Sequence, residues 1–446
     1  MPQVDRQTLN AADRLMLVAH NGLRGVGHAG FICQTHAWLT GRVDAPRLRA
    51  ALARLHRRYP VITSRLEDAG GRSVPCWRFR RDAPPTLHES TRAESGEAAI
   101  WAYAARLFEQ PLDLERMDPI SFHLLHLPDD RDVLVLVFSH VLMDGKAPEF
   151  ALKELDRFFH EESPDDDPPS DSEPASDGDE MAAHLYRFDA RRRRRAAWNV
   201  IRSHIRVPQR PVIMTPPEMK NWLGSPYGIC VRRLDEAQTD VLMQRIRRLC
   251  GFANPTPALV AAAFRAVAAR SPVKQTARSL FQTDLPLNLR PPGRTEPIFR
   301  NFMSFVQMSA RKSHLADRDD ATRMFNAQLR DQIRRGIDLG NLQMMHVMAP
   351  RANMLRKHII ARMKNQPFTL GFGFLGPVAP GLNRIFDQDV RWLYSLNSAI
   401  SPPGVTLQAN QSGNGLNIML TWIESAVPRA TAVELVDRVI DDLTRP

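Results

Sequence analysis

The stretch Val133-Leu-Val-Leu-Val-Phe-Ser-His140-Val-Leu-Met-Asp144-Gly145-Lys-Ala-Pro148 decides how this sequence is read. Residues 133–138 are apolar without interruption. Lacking the alternation of a strand with one wet face, the run predicts a strand covered on both sides, in the middle of a sheet flanked by helices. From Phe150 the apolar positions fall at Phe150, Leu152, Leu155, Phe158 and Phe159, which reads as a helix. His140 therefore stands at the end of a buried strand, and Gly145 permits a tight turn before the helix. Loops at strand ends open clefts while the sheet holds them rigid, so a polar group delivered there is a candidate for chemistry. A neutral imidazole can take a proton from an attacking alcohol or amine and return it to a leaving thiolate. Asp144 could orient that imidazole or pair with a distant cation to fix the loop. The plain structural alternative makes His140 a hydrogen-bonded strand-end residue and Asp144 a helix cap.

Strand and helix signals continue on both sides. Phe31 to Leu39 alternates as a strand, and Asp44 caps a helix carrying Leu48, Ala51, Leu52 and Leu55 that stops at Pro60. A strand through Ile120, Phe122 and Leu124 precedes the turn Pro128-Asp-Asp-Arg-Asp132. Later strands are expected at Ile229–Leu234, Leu280–Leu287, Met303–Met308, Val405–Asn410 and Leu416–Trp422. Helices are expected over Glu236–Leu249, ended by Gly251, over Pro257–Ala269, capped by Thr256, and over Ala430–Leu443. Ser412-Gly-Asn-Gly415 reads as a hairpin turn. Such mixing places the chain in the α/β (α+β) class, as two packed subdomains.

A chain of 446 residues, 43% of them hydrophobic, can build two or three full cores. Between Glu161 and Glu180 stand ten carboxylates with Pro and Ser and no Lys or Arg. That composition cannot bury enough surface to fold and predicts a disordered acidic linker. The expected organisation is an N-terminal subdomain at 1–160, the linker at 161–180, a basic helical connector at 181–225 and a C-terminal subdomain at 226–446. Setting the linker's ten carboxylates aside raises the net charge from +11 to +21, with Arg191 to Arg195 as an unbroken run. A basic surface is either simply solvated or matches an anionic partner: the phosphates of coenzyme A, an acidic carrier protein, an anionic membrane or nucleic acid. With 7% aromatic residues and no zinc-finger or RRM signature there is no base-stacking apparatus, so nucleic acid is not expected.

Other function classes lose ground on missing motifs. There is no G-x-S-x-G elbow, Walker loop or H-E-x-x-H, which argues against a serine hydrolase, an NTPase or a zinc protease. No apolar run approaches the roughly 20 residues of a membrane span. The first residues lack the order of a secretory signal, and Cys33, Cys76, Cys230 and Cys250 are scattered without a C-x-x-C pair. A cytoplasmic monomer without metal or disulfide is expected. His123 and His126 read as structural strand histidines. Met344, Met345 and Met348 read as core, although flexible apolar side chains would also suit an acyl tunnel.

Ser139 to Gly145 resembles the active-site motif of the coenzyme A dependent acyltransferase superfamily. That superfamily includes chloramphenicol acetyltransferase, peptide synthetase condensation domains, the BAHD enzymes and wax ester synthases. Pro46 to Leu66 resembles the helix and strand that open condensation domains, and Phe108 to Leu127 the segment leading into their catalytic strand. Leu287-Asn-Leu-Arg290, followed by Arg300-Asn-Phe302, resembles the V-D-L-R and G-N elements of the second half. The resemblance covers most of the chain outside residues 161 to about 225. There are departures: Ser139 replaces the first of two histidines common in relatives, and Asn288 replaces a common aspartate. Gly371-Phe-Gly-Phe374 resembles the D-F-G-W element of BAHD enzymes without its aspartate. No subfamily follows.

The resemblance implies two chloramphenicol acetyltransferase-like subdomains, each a mixed sheet with helices, and an active site at their interface reached by a tunnel from both faces. His140 would be the general base. Asp144 would be structural, beside Gly145, and paired with Arg290 from the other subdomain. Ser139, Asn301, Gly373 and Phe374 would line the tunnel or substrate. The implied reaction moves an acyl group from a coenzyme A or phosphopantetheine thioester to a small alcohol or amine, with no covalent enzyme intermediate and no bound cofactor. Acyl-CoA or an acyl carrier protein would be the partner. The alternatives are a catalytically degenerate condensation-like module that only binds or docks a carrier, and a binder of anionic surfaces or nucleic acid.

Overall fold

In the computed structural model, which describes residues 5–25, 27–68, 74–161, 179–204, 211–214, 225–348, 368–399 and 402–445, the first elements are β1 (Arg6–Thr8), α1 (Ala11–Gly25), β2 (Ile32–Leu39) and α2 (Ala45–Arg58). Next come β3 (Arg65–Glu67), β4 (Cys76–Arg78), β5 (Leu87–Thr91), α3 (Glu97–Glu109), β6 (Ile120–His126), β7 (Asp132–Ser139) and α4 (Ala147–His160). Two helices, α5 (Glu180–Tyr186) and α6 (Ala190–His204), precede β8 (Tyr227–Leu234), α7 (Glu236–Cys250) and α8 (Thr256–Arg270). After them run β9 (Leu280–Asn288), β10 (Met303–Arg311), α9 (Arg318–Arg334) and α10 (Ile337–Met348). The remaining elements are β11 (Gly371–Pro377), β12 (Arg384–Ile385), β13 (Gln388–Asn397), β14 (Val405–Ser412), β15 (Gly415–Ile423) and α11 (Arg429–Thr444).

The apolar run is β7, and it lies inside a six-stranded sheet of order β12-β13-β2-β7-β6-β5. Its two faces go to different cores. Leu134, Leu136 and Phe138 join Leu48, Leu52 and Leu55 of α2 and Phe150, Leu152 and Leu155 of α4 in one cluster. Val133, Val135 and Val137 join Ile100, Ala104 and Phe108 of α3 in the other. A strand with apolar surface to bury on both sides has no use for polar alternation. Asp44 caps α2 by accepting from Arg47 N, and β6 and β7 pair antiparallel across the turn at 128–131.

A four-stranded sheet of order β11-β14-β15-β8 organises the second half. Its β14–β15 hairpin turns at Gly413, where φ is 58°, as a tight turn with glycine in its first central position requires. Strand β13 stitches the two sheets together. It pairs with β2 from Cys33 to Leu39, while its Leu393 carbonyl accepts from Asn410 Nδ2 at 2.9 Å and its Asn397 N donates to Gln408 Oε1 at 2.6 Å. The division into 1–160 and 226–446 is thus crossed. A strand from the later segment completes the earlier sheet, its backbone also bonding to the Asn410 and Gln408 side chains of the other sheet.

Smaller differences have local causes. Thr256 is the first residue of α8 rather than its cap: Pro255 precedes it, and Asn254 Oδ1 accepts from Thr256 N at 3.0 Å. The stretch expected as one basic helix is two, because Asp189 starts α6 by accepting from Arg192 N at 2.8 Å. Of the acidic linker, residues 162–178 lie outside the described residues, whereas Asp179 caps α5 through Ala182 N. The four cysteines are buried free thiols. Among the described residues no helix is long and apolar enough to cross a membrane.

Candidate active site

Strand β7 ends at Ser139, and the chain turns at once, with Leu142 N bonding back to Ser139 O at 3.0 Å. His140 is anchored by its own N–H to Phe31 O at 3.0 Å, and its ring lies 4.6 Å from the Phe31 ring. Its Nδ1 faces Asn301 Oδ1 at 3.1 Å. The Asn301 amide can be oriented from its other contacts. Nδ2 meets three acceptors: His140 O at 2.8 Å, Asp13 Oδ1 at 2.9 Å and Val141 O at 3.4 Å. Only the NH₂ end satisfies them, so Oδ1 is the end presented to the imidazole and His140 Nδ1 carries the hydrogen. Nε2 is left as the lone-pair nitrogen, with no hydrogen-bond partner among the described residues. Burial pushes the His140 pKa below the usual imidazole range, partly offset by the ring's bond to its own backbone carbonyl, the Asp144 charge and the Asn301 bond, which favours the neutral ring.

Asp144 is buried in the turn that follows. Its Oδ1 accepts from Lys146 N and Ala147 N at 3.1 Å, and its Oδ2 from Phe302 N at 2.9 Å. Arg290 Nη1, also buried, donates to the same Oδ2 at 2.7 Å. The contact is single rather than two parallel bonds, because the other carboxylate oxygen is used by the loop's own backbone. The guanidinium also donates to Asn288 Oδ1, Pro297 O and Arg300 O. Asn288, standing where an aspartate is common, accepts from both Arg290 N and Arg290 Nη1 at 3.1 Å. Gly145 does not have the positive φ that would demand glycine. Its constraint is space: a Cβ there would come 2.9 Å from Leu375 Cδ2 on β11. Lys146 Nζ ties the same loop to Pro377 O at 2.5 Å and to buried Glu149 at 2.6 Å.

The structure gathers His140, Asp144, Gly145, Arg290 and Asn301 at one junction, but not all the expected lining residues. Ser139 is fully buried and its Oγ accepts from Val141 N at 3.2 Å, so it has no surface to offer a substrate. Asn301 is likewise fully buried and sits behind the imidazole rather than along an opening. Gly373 and Phe374 lie on β11, the strand that abuts Gly145 through Leu375, and no hydrogen bond or ring contact joins them to His140 among the described residues. His123 is held by Tyr103 and Ser121, and His126 by Asp132, as strand histidines. Met345 belongs to the cluster under α10, while Met344 lines an outer groove between α6 and α10. Asp13 and Asn10, on α1 and at its start, also belong to the site although no motif in the sequence marks them. Asn10-Ala-Ala-Asp13 has the spacing of a reciprocal cap, but nothing in it announces the carboxylate's reach to Asn301.

Comparison with known proteins agrees with this architecture. Residues 19–174 match the family model described as Condensation domain. Tyrocidine synthase 3 of Brevibacillus parabrevis is 24% identical over 165 residues, which are 36% of this chain and 2% of that protein. A plipastatin synthase polypeptide of Bacillus subtilis is 25% identical over 135 residues, 30% of this chain and 5% of that protein. The chain thus matches only a small part of each curated relative's length. Among solved structures, the trichothecene 15-O-acetyltransferase of Fusarium sporotrichioides superposes with a TM-score of 0.71 at 11% identity, covering 98% of this chain and 94% of that one. The EpoB cyclization-docking bidomain of Sorangium cellulosum gives 0.70 at 13% identity, over 99% of this chain and 84% of that one. A starter condensation domain of rhizomide synthetase, solved with C8-CoA and Leu-SNAC, gives 0.68 at 12%, over 99% and 94%. The chain thus has the chloramphenicol acetyltransferase-like fold shared by condensation domains and an O-acetyltransferase, with its H-x-x-x-D-G turn where its two largest sheets meet, and residues 19–174 are similar to condensation domains.

Proposed function

We propose that this chain moves an acyl group from a thioester, on coenzyme A or on the phosphopantetheine arm of a carrier protein, to the hydroxyl or amine of a small molecule. The observation that carries this reading is the placement of His140: buried at the strand end, hydrogen-bonded through Nδ1 to Asn301, with Nε2 free of protein partners among the described residues, and with burial pushing its pKa down. An imidazole so held is prepared to accept a proton and unprepared to donate one. His140 Nε2 removes the acceptor's proton as the oxygen or nitrogen attacks the thioester carbonyl. A tetrahedral oxyanion forms, and its collapse expels the thiolate, which recovers the proton from the imidazolium. No covalent bond to the enzyme is needed. Two facts about proteins of the same fold support the substrate class: one was solved with C8-CoA, and another is an O-acetyltransferase. Four free thiols suit a reducing compartment such as the cytoplasm.

The test is a panel of acyl-CoAs and acyl-pantetheine carriers offered with pooled alcohols and amines, following thiol release and acylated product by mass. Acceptor-dependent thiol release, abolished in His140→Ala, is the expected result. Saturable binding of a thioester with no release under any pairing would identify a degenerate docking module instead.

A further inference from the structure

Behind Asn301, which faces the His140 ring, lies a buried acid that does not touch the ring. Asp13 lies in the first turn of α1 and is 1% exposed. One of its oxygens closes a reciprocal cap at the helix start: Oδ2 accepts from Asn10 N at 3.0 Å, while Asn10 Oδ1 accepts from Asp13 N at 2.9 Å. Its other oxygen leaves the helix altogether. Oδ1 accepts from Asn301 N at 2.8 Å and from Asn301 Nδ2 at 2.9 Å, and Asn10 Nδ2 adds a bond to Asn301 O at 2.9 Å. The capped end of α1 thus holds Asn301 by its backbone on both sides and by its side-chain amide.

That hold has a chemical consequence at the ring. A flipped Asn301 amide would set its oxygen against the Asp13 carboxylate and the His140 carbonyl, two acceptors at under 3 Å, and would turn its NH₂ group toward His140 Nδ1. A donor at Nδ1 would compete with the ring's bond to its own carbonyl and favour the hydrogen on Nε2, the nitrogen that must be free to take the acceptor's proton. We propose that Asp13 is a positioning residue for the reaction proposed above: through the Asn301 amide it fixes the His140 hydrogen on Nδ1 and keeps the basic lone pair on Nε2. Without Asp13 the His140 carbonyl remains the one close acceptor opposing the flip, and the backbone of Asn301 loses its anchor.

This inference rests on the reading of His140 as base, and its test separates the two. Long-range nitrogen–proton NMR on ¹⁵N-histidine protein, with His140 assigned by difference from His140→Ala, reads the tautomer without any substrate. The wild type and Asp13→Asn, whose side-chain oxygen can still accept from Asn301, are expected to show hydrogen on Nδ1. Asp13→Ala is expected to show a mixture of tautomers. In turnover it should lose about 10- to 100-fold in kcat, the scale on which a group orienting a functional histidine from behind acts, with KM changed far less. Asp13→Asn should keep most of the rate. Should Asp13→Ala fold poorly, Asp13→Ser, whose hydroxyl is too short to reach Asn301, takes its place. A wild-type ring protonated on Nε2, or Ala and Ser variants with the wild-type tautomer and rate, would overturn the proposal. A wild type inactive toward every thioester would instead remove the acyl-transfer reading while the ring spectra still decide the role of Asp13.

Discussion

Replacing Asp144 and Arg290 by alanine, singly and together, measures what holds the His140 loop to the second half of the chain. Both side chains are almost completely buried and meet at 2.7 Å, so each single substitution strands a charge. Losing one member of a buried pair costs about 3–5 kcal/mol. The structure predicts an order within that range. In Arg290→Ala the Asp144 carboxylate keeps three N–H donors, from Lys146, Ala147 and Phe302, and the loss should fall near the lower end. Asp144→Ala deprives those three N–H groups of their acceptor and also leaves a guanidinium with only neutral oxygen partners, which places it near the upper end. The double mutant strands neither charge, so its loss should fall short of the sum by about 1–3 kcal/mol. Denaturant unfolding gives the cycle for stability, and thiol release gives it for turnover. If the alanine variants unfold too readily, Asp144→Asn with Arg290→Gln supplies the same cycle. Losses that add to within about 0.5 kcal/mol would refute the idea that this pair is one energetic unit.

Three further outcomes follow from single contacts. His140→Ala should lower acyl transfer by about two to four orders of magnitude with its fold unchanged by circular dichroism, the usual contribution of a positioned general base; full activity would remove His140 from the mechanism. Gly340→Ala should destabilise the chain by about 1–3 kcal/mol in thermal or denaturant unfolding, because its Cβ would fall 2.3 Å from Ala196 O and 2.6 Å from Val200 Cγ2 where α10 crosses α6. Burial pushes the Asp13 carboxyl up from 3.8 to about 7, against the opposing pull of Arg300, Asn301 and Asn10. The proton is therefore held more tightly in the folded state. This contribution to stability is complete below about pH 4 and is lost as pH rises toward 7, a change on the order of 4 kcal/mol. Asp13→Asn removes that term, so its stability relative to wild type should climb across the same interval; a pH-independent difference would contradict the assignment.

What could be read from the sequence tracks how local the cause is. β7 and the helices α2, α4, α7 and α11 announce themselves because their apolar residues follow one period and one burial geometry. β13 does not, since Gln388-Asp-Val-Arg-Trp-Leu-Tyr-Ser-Leu-Asn397 mixes charged and polar residues, and its backbone partners lie on β2 and on side chains of the second sheet. α9 and α10 escaped for a related reason: α9 is largely polar, and α10 carries a glycine that reads as a breaker until its contact with α6 is seen. In the site, His140 and Asp144 were legible because strand, turn and helix lie within 30 residues of one another. Asn301 was legible only as a motif fragment, and its position behind the ring was not.

Asp13 shows why the remainder could not be read at all. An aspartate three residues after an asparagine at a helix start has a sufficient local explanation, and a reader of sequence stops there. The carboxylate, however, has two oxygens, and the cap uses one. The second is directed across the fold to residue 301, 288 positions away in the chain. The same division of labour recurs at Asp144, where Oδ1 serves the local turn and Oδ2 serves Arg290 and Phe302 from the other half. In both cases an acid that looks like an ordinary helix-start residue also crosses to the other half beside His140. Local hydrogen bonds hold each carboxylate in place, and the oxygen left over acts at a distance. The two acids nevertheless act on different things: Asp144 fixes where the loop carrying the ring sits, and Asp13 fixes which way the amide behind the ring is turned. A change at Asp144 should therefore displace the imidazole as a whole, whereas a change at Asp13 should leave its position nearly unaltered and shift the hydrogen from one ring nitrogen to the other.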